Sequence, residues 1–407
     1  MNATPMHAVE PLQGASARLL QKLLADCDVE LNGSRPFDIQ VADARALNRM
    51  VRRGSLGLGE SYMDGQWECE RVDELVDRLL RHSLYQRFAN TGAQRWLALV
   101  SRLRNLQSRA RAGIVGERHY DIGNELYEKM LDSHMNYSCA CWETAETLED
   151  AQRDKMELIC RKLELEPGMT VLDIGCGWGG MARYAAERFG VQVLGITISK
   201  EQQSWAEARI DSLPIEIRCQ DYRDVRGEFD RVFSIGMFEH VGYKNYRGFF
   251  RKCREVLRPD GLLLLHTIGS NSSVQSTDPW LHRYIFPNSM LPSIPQIGRA
   301  LEPHFVMEDW HSFGPHYDRT LLAWHRRVNA AWEALGDRYD KRFRRMWNFY
   351  LLACAGAFRA RNVQLWQIVL ANGRRSAGYK RPMLTGTGND RNTEQEISGN
   401  ELYGGRK

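Results

Sequence analysis

Residues Val171 to Gly180 read VLDIGCGWGG, an apolar run that closes on Asp173 and breaks into a cluster of glycines. Val171 to Ile174 have the continuous apolar character of a buried parallel strand. Gly175, Gly177, Gly179 and Gly180 permit a tight turn and the close approach of a ligand that a β-carbon would block. The segment MARYAAERF that follows has the apolar spacing of a helix beginning near Met181. Strand, glycine turn and helix make the first unit of a doubly wound sheet, with its ligand crevice beyond the carboxyl ends of the strands.

The glycines alone leave the cofactor open, because Gly175, Gly177 and Gly180 also satisfy the G-x-G-x-x-G spacing of dinucleotide loops. Two details favour S-adenosylmethionine. Asp173 stands where it would repel a pyrophosphate but suits the amino group of a methionine moiety. A dinucleotide site also calls for an acid closing the second strand about 20 residues on. Here that strand, VQVLGITIS, ends in Thr197 and Ser199, with Glu201 and Gln202 only at the next helix start. A purely structural glycine turn is the plainest alternative.

The chain of 407 residues has room for about two domains, and its 43% hydrophobic and 26% charged content is that of a globular protein. No apolar run approaches the roughly 18 residues of a membrane span. The start, MNATPMHAVEP, has neither the basic nor the apolar region of a signal peptide, so a cytoplasmic protein is expected. Nine cysteines at irregular spacing suit reduced thiols, and the pair Cys139 and Cys141 lacks the partners of a metal site, so no metal is expected. A net charge of +4 does not by itself call for nucleic acid, and none is expected. Two basic clusters stand out, Arg102, Arg104, Arg109, Arg111 and Arg118, and Lys341, Arg342, Arg344 and Arg345. They read either as solvated helix faces or as a docking surface for an anionic membrane, where each cation contributes about 1 kcal/mol.

Residues 1–101 are expected to form a smaller, mainly helical N-terminal domain associated with lipid. It reads as a helix at 17–27, a strand at 35–41, a glycine-punctuated loop at 54–67 and a helix at 72–84. Residues 102–118 read as a linker, 119–380 as the catalytic domain, and 381–407 as a polar, disordered tail. Strands are expected at 170–175, 191–197, 215–219, 229–235, 261–268, 304–310 and 364–371. The proline-interrupted excursion 270–300 reads as a lid or pocket wall. The fold class is therefore α/β, a doubly wound, seven-stranded, Rossmann-like class I methyltransferase domain.

Polar residues at strand ends are the candidates for chemistry. The fourth strand delivers Glu239 and His240, and the fifth delivers His266. Asp221 and Tyr222, after the third, offer an adenine a carboxylate and a ring. The plain readings are a satisfied core histidine for His266 and a helix-capping acid for Glu239.

The segments HYDIGNELYEKML (119–131), MNYSCACW (135–142), VLDIGCGWGG, GITISKEQ (195–202), MFEHVG (237–242), LLHTIG (264–269), YIFPN (284–288) and ACAGAFRARNVQLWQ (353–367) closely resemble the cyclopropane-fatty-acyl-phospholipid synthases and the mycolic-acid cyclopropane synthases. The resemblance extends to about residue 380, and GSLGLGESYMDG matches the bacterial phospholipid enzymes; the polar tail departs from the pattern. It implies transfer of the methyl of S-adenosylmethionine to the cis double bond of an unsaturated acyl chain in a phospholipid, then proton loss and ring closure. It implies donor-binding roles for Tyr137, Ser138, Gly175, Cys176, Gly177, Thr197, Ser199, Gln202, Asp221 and Tyr222, beside the Asp173 read above. It implies that Cys139, Glu239, His266, the Ile268 backbone and Tyr317 hold a bicarbonate ion, the general base, and that Cys354 is an active-site cysteine. It further suggests a homodimer in peripheral contact with the inner face of the membrane.

Residue chemistry weighs these roles independently. An alkene is a poor nucleophile, so the methyl must be held close to it in a dry pocket. The resulting cation can be steadied by aromatic faces, for which Phe238, Tyr246, Tyr284, Phe286, Tyr317 and Trp366 are candidates, although each is equally explained as core. Cys354, in an apolar helix, should have a raised pKa and little thiolate. Tyr62, Met63 and Trp67, on the expected glycine-rich loop, are candidate membrane-facing groups. A heteroatom methyltransferase, an acyl-chain methyltransferase that adds a branch, and a non-catalytic lipid-binding relic remain as alternatives.

Overall fold

The computed structural model describes residues 14–82, 123–373 and 378–384, so the Arg102–Arg118 cluster, the expected linker and the tail past Leu384 lie outside the described residues. The N-terminal unit comprises α1 (Ala15–Ala25), β1 (Gln40–Val41), α2 (Arg45–Met63), β2 (Trp67–Glu68) and α3 (Val72–Arg81). The larger unit starts with α4 (Asn124–Met130) and α5 (Leu148–Lys162). It continues as β3 (Thr170–Ile174), α6 (Gly180–Phe189), β4 (Gln192–Thr197), α7 (Lys200–Glu207), β5 (Ile215–Cys219) and β6 (Phe229–Ile235). After α8 (Tyr246–Val256) and β7 (Leu257–Ser270) come α9 (Pro279–Tyr284), α10 (Ile294–Leu301), β8 (Val306–Ser312), α11 (Gly314–Ala331), α12 (Lys341–Arg359) and β9 (Val363–Ala371).

All seven expected strands join one sheet in the order β5-β4-β3-β6-β7-β9-β8, with β9 antiparallel to both neighbours and the other pairs parallel. β7 begins earlier than expected, across an irregularity in its pairing with β6. Its leucines alternate between faces, as a strand buried on both sides requires. Leu262 and Leu264 pack with Val171 and Val193, whereas Leu263 and Leu265 pack with Phe249 and Phe250. The chain order reverses between β3 and β6, which places the crevice beside the glycine turn.

The N-terminal unit departs from expectation. Of the strand expected over 35–41, the two residues of β1 pair with β2, and Ile39 forms an isolated bridge with Leu31. The stretch expected as a loop, 54–67, is for the most part the second half of α2. Gly54 bends that helix with φ 54° and ψ −132°, and the second half folds against the first so tightly that a β-carbon on Gly57 would stand 2.0 Å from the Arg49 carbonyl oxygen. Gly54 breaks the helix into two limbs, and Gly57 is the close-packing position that lets them meet.

Tyr62, Met63 and Trp67 are 4%, 2% and 0% exposed, which corrects their reading as membrane-facing groups. Tyr62 and Trp67 instead pack on Phe349 of α12, with centroids at 5.4 and 6.3 Å. The 341–345 cluster is likewise used internally. Arg342 pairs with Asp64 at 2.8 Å, and Arg345 pairs with Glu68 at 2.7 Å and donates to the Tyr62 and Trp67 carbonyls. Buried Asp73 on α3 holds Arg359 of α12 at 2.7 Å. One apolar core runs from Leu20 and Leu75 to Trp324 and Trp347.

Gly57→Ala is expected to cost about 1–3 kcal/mol through overpacking. Gly248→Ala, in α8 where nothing lies within 4 Å, should add about 1 kcal/mol of helix propensity. Urea denaturation of the two variants checks both signs.

Candidate active site

β3 ends at Ile174, and the chain turns at Gly175 with φ 88°, where a β-carbon would stand 2.7 Å from Met237. The cleft beyond it is lined by Tyr137, Ser138, Asp173, Gly175, Cys176, Gly177, Thr197, Gln202, Asp221 and Tyr222. Ser199, placed with them from the sequence, is not in the lining; its hydroxyl accepts from the Gln202 amide at 3.3 Å and caps α7. The Thr197 hydroxyl donates to Gln202 Oε1 at 2.8 Å and so holds that side chain at the wall. Asp221 Oδ1 accepts from the Arg223 backbone at 2.9 Å and its guanidinium at 2.8 Å. Asp173 is buried, its Oδ2 has no hydrogen-bond partner, and burial pushes its carboxyl well above the usual range. A buried acid with an open oxygen suits a cationic ligand group.

The segment 136–139 forms the opposite wall and is held from below by α5. Lys155 Nζ, buried, donates to Asn136 Oδ1 at 2.8 Å and Ser138 Oγ at 3.1 Å. Gln152, one turn earlier, donates to the Ser138 carbonyl at 2.9 Å. Asn136 Nδ2 in turn donates to Asp132 at 2.8 Å. Burial lowers the Lys155 ammonium to about 8, and Asp132 opposes the shift. Tyr137 then reaches across, with its hydroxyl 2.7 Å from that of Tyr350 on α12.

A second group of polar atoms gathers at the ends of β6 and β7. Glu239 lies in the single 3₁₀ turn after β6, and its Oε1 accepts from the Ile268 N–H at 2.7 Å. Its Oε2 is buried without a partner, and burial pushes the carboxyl up to about 7. His266 Nδ1 lies 3.2 Å from Gln367 Nε2, while its Nε2 is buried without a partner. Burial, reinforced by Lys155 and Lys162, pushes the His266 imidazole well below its ordinary pKa, so the ring is neutral. Cys139 donates its thiol to the Ala140 carbonyl at 3.3 Å, and burial pushes that thiol far up. Tyr317 packs on Phe358 at 4.6 Å and Trp324 at 6.0 Å. Cys354, one helical turn after Tyr350, keeps some accessible surface, yet surrounding protein pushes its thiol up to about 12, which leaves little thiolate at neutral pH.

The aromatic candidates divide. Phe238 and Tyr246 stack at 4.3 Å within the sheet core, Trp366 packs on Trp310 at 5.1 Å, and Tyr284 donates to Glu60 at 3.0 Å. Phe286 and Tyr317 remain beside the site, Phe286 at 5.7 Å from Tyr350. Lys155, Gln152, Tyr350 and Gln367 carried no sequence signal of their own, although Tyr350 sits one turn before a cysteine already singled out.

Residues 107–368 match the family model described as mycolic acid cyclopropane synthetase. The chain is 52% identical over 356 residues to the cyclopropane-fatty-acyl-phospholipid synthase of Escherichia coli K12, which covers 88% of this chain and 93% of that protein. The chain belongs to the cyclopropane synthase family. The solved cyclopropane synthase MmaA2 of Mycobacterium tuberculosis superposes with a TM-score of 0.61 at 32% identity, covering 64% of this chain and 98% of that one. CmaA1, solved with S-adenosylhomocysteine and CTAB, gives a TM-score of 0.58 at 30% identity, covering 64% and 98% of the two chains. The chain is accordingly an S-adenosylmethionine-dependent methyltransferase with a class I fold.

Two outcomes are expected. Tyr350→Phe should weaken donor binding about fivefold to thirtyfold, the worth of one buried hydrogen bond, in a titration with S-adenosylhomocysteine. Between pH 4.5 and about 7 the folded protein keeps a proton on Glu239 that the unfolded chain releases, so this group's contribution to stability falls as pH rises through that window. Glu239→Gln removes that slope, worth about 3 kcal/mol across the window, and denaturation at pH 5 and pH 8 measures it.

Proposed function

We propose that the chain transfers the methyl of S-adenosylmethionine to the cis double bond of an unsaturated acyl chain in a membrane phospholipid and closes it to a cyclopropane. The reading is carried by one observation: two buried polar atoms without partners, Glu239 Oε2 in the turn after β6 and His266 Nε2 on β7 opposite the last residue of β6. A simple heteroatom methylation gives such a pair no task.

In the reaction the sulfonium C–S bond breaks as the alkene electrons form a new C–C bond, leaving a cation on the other alkene carbon. A proton then leaves the added methyl, and the electrons of that C–H bond close the ring. Asp173 and the 136–139 segment orient the donor. Phe286 and Tyr317 offer faces rather than nucleophilic oxygens to the cation, which avoids its capture. Cys354, held as the thiol, is a poor base and serves as part of the wall.

The base site fits a small anion. Glu239, raised to about 7, can present a proton, and a neutral His266 has one ring N–H to offer, so the pocket supplies donors without a fixed negative charge. A bicarbonate bound by Glu239, His266, Tyr317 and the Cys139 segment would supply an oxygen base. Ile268 contributes through its N–H, which fixes the Glu239 carboxylate.

Among the described residues no helix is long and apolar enough to cross a membrane. Contact with the inner membrane face is supported by cations left over from internal pairing. Arg247 and Arg251, one turn apart on α8, line a groove with Lys244 and Arg223 beside Tyr222, and neither makes an ion pair among the described residues. A homodimer is supported by the family resemblance.

The test is incubation with methyl-labelled donor and vesicles of unsaturated phospholipid, followed by mass spectrometry of the acyl chains. The expected product is one methylene heavier with no double bond. Label in the headgroup, or a methyl branch, refutes the reading; the 31% identical tuberculostearic acid methyltransferase of Mycobacterium tuberculosis makes the branch a real competitor.

A further inference from the structure

We propose that Gln367 is a positioning residue that decides which nitrogen of His266 carries the proton, so that His266 offers Nε2–H as a hydrogen-bond donor at the base site. The inference rests on the reading of that site as an anion pocket.

Strand β9 runs antiparallel between β7 and β8, and its register sets Gln367 directly opposite His266 on one side and His311 on the other. The three form a polar row across β7, β9 and β8. His266 and Gln367 are 2% and 0% exposed, so water cannot substitute for either partner. A neutral imidazole has one N–H and one acceptor nitrogen, and the partner of one nitrogen dictates the state of the other. Gln367 Nε2 can only donate, and it is the amide atom that faces Nδ1, at 3.2 Å, while Gln367 Oε1 is buried without a partner. This amide orientation assigns the ring proton to Nε2, the nitrogen that has no partner in the fold.

The next member of the row obeys the same logic. His311 Nδ1 lies 3.1 Å from the Lys162 ammonium, which has donors only, so that nitrogen also accepts. Lys162 is in turn 3.5 Å from Asp309, to which Arg381 is also bonded. The consequence for the reaction is specific: His266 grips the ligand with its N–H and is not itself the group that removes the proton.

Two variants and one spectroscopic signature test this. Gln367→Glu keeps the shape but only accepts, which moves the proton to Nδ1; Gln367→Met keeps the length and neither donates nor accepts strongly. In protein labelled with ¹⁵N-histidine, His266 is assigned by the signal lost in His266→Asn. The wild type should show the Nε2–H tautomer. Gln367→Glu should show Nδ1–H or imidazolium and lose about tenfold to a hundredfold in kcat, with the dissociation constant for S-adenosylhomocysteine unchanged. Gln367→Met should show mixed tautomers and a smaller loss, and it decides the matter if the glutamate variant does not fold. An Nδ1–H tautomer in the wild type, or variants that keep both tautomer and turnover, overturns the inference. If His266→Asn itself turns over normally, it is the anion-pocket reading that fails.

Discussion

The ammonium of Lys155 holds the 136–139 wall of the cleft in place. It rises from α5 into the underside of the 136–139 segment, where it meets Asn136 and Ser138 and, among the described residues, no carboxylate within ion-pair distance. A charge buried in this way is tolerated only when every available dipole turns toward it. Asn136 passes the charge on to Asp132, and Gln152 occupies the neighbouring carbonyl. The same segment gives Tyr137 and Ser138 to the cleft beside the glycine turn, and buries Cys139 next to them. One hydrogen-bonded loop thereby fixes the wall that faces Asp173 and Gly175.

Around that loop burial disfavours the charged form of the acids, the imidazole and the thiols. Asp173 and Glu239 are raised, His266 is lowered, and the thiols of Cys139, Cys176 and Cys354 are raised, all first by burial. Desolvation disfavours whichever form is charged, so acids and bases move in opposite directions from one cause. Most polar side chains of the site are hydrogen-bonded, and the buried atoms without partners, Asp173 Oδ2, Glu239 Oε2 and His266 Nε2 among them, stand out against the rest.

The N-terminal unit is joined to the catalytic unit through α12. Trp67, Tyr62 and Trp280 close around Phe349, while Arg345 and Arg359 satisfy carbonyls and the buried Asp73 of the smaller unit. Because α12 also carries Tyr350, which meets Tyr137 of the cleft wall, the packing of the N-terminal unit bears on that wall.

The sequence by itself determined the sheet and the donor. Its strands are short apolar runs, and its glycine turn follows one of them, so local periodicity was enough to place Asp173, Gly175 and Tyr222, while Thr197 and Gln202 were marked by the family resemblance. Glu239 and His266 were legible for the same reason, as polar residues ending apolar strands. Only the tertiary structure decided the rest. Whether Tyr62, Met63 and Trp67 face lipid or core, and whether Arg342 and Arg345 meet a membrane or Asp64 and Glu68, depends on α12, nearly 300 residues away along the chain. Lys155 and Gln367 look like ordinary polar residues of a helix and a strand until their neighbours are known. Burial and partnership are pairwise properties across the fold, and it is they, not residue type, that set charge, tautomer and role.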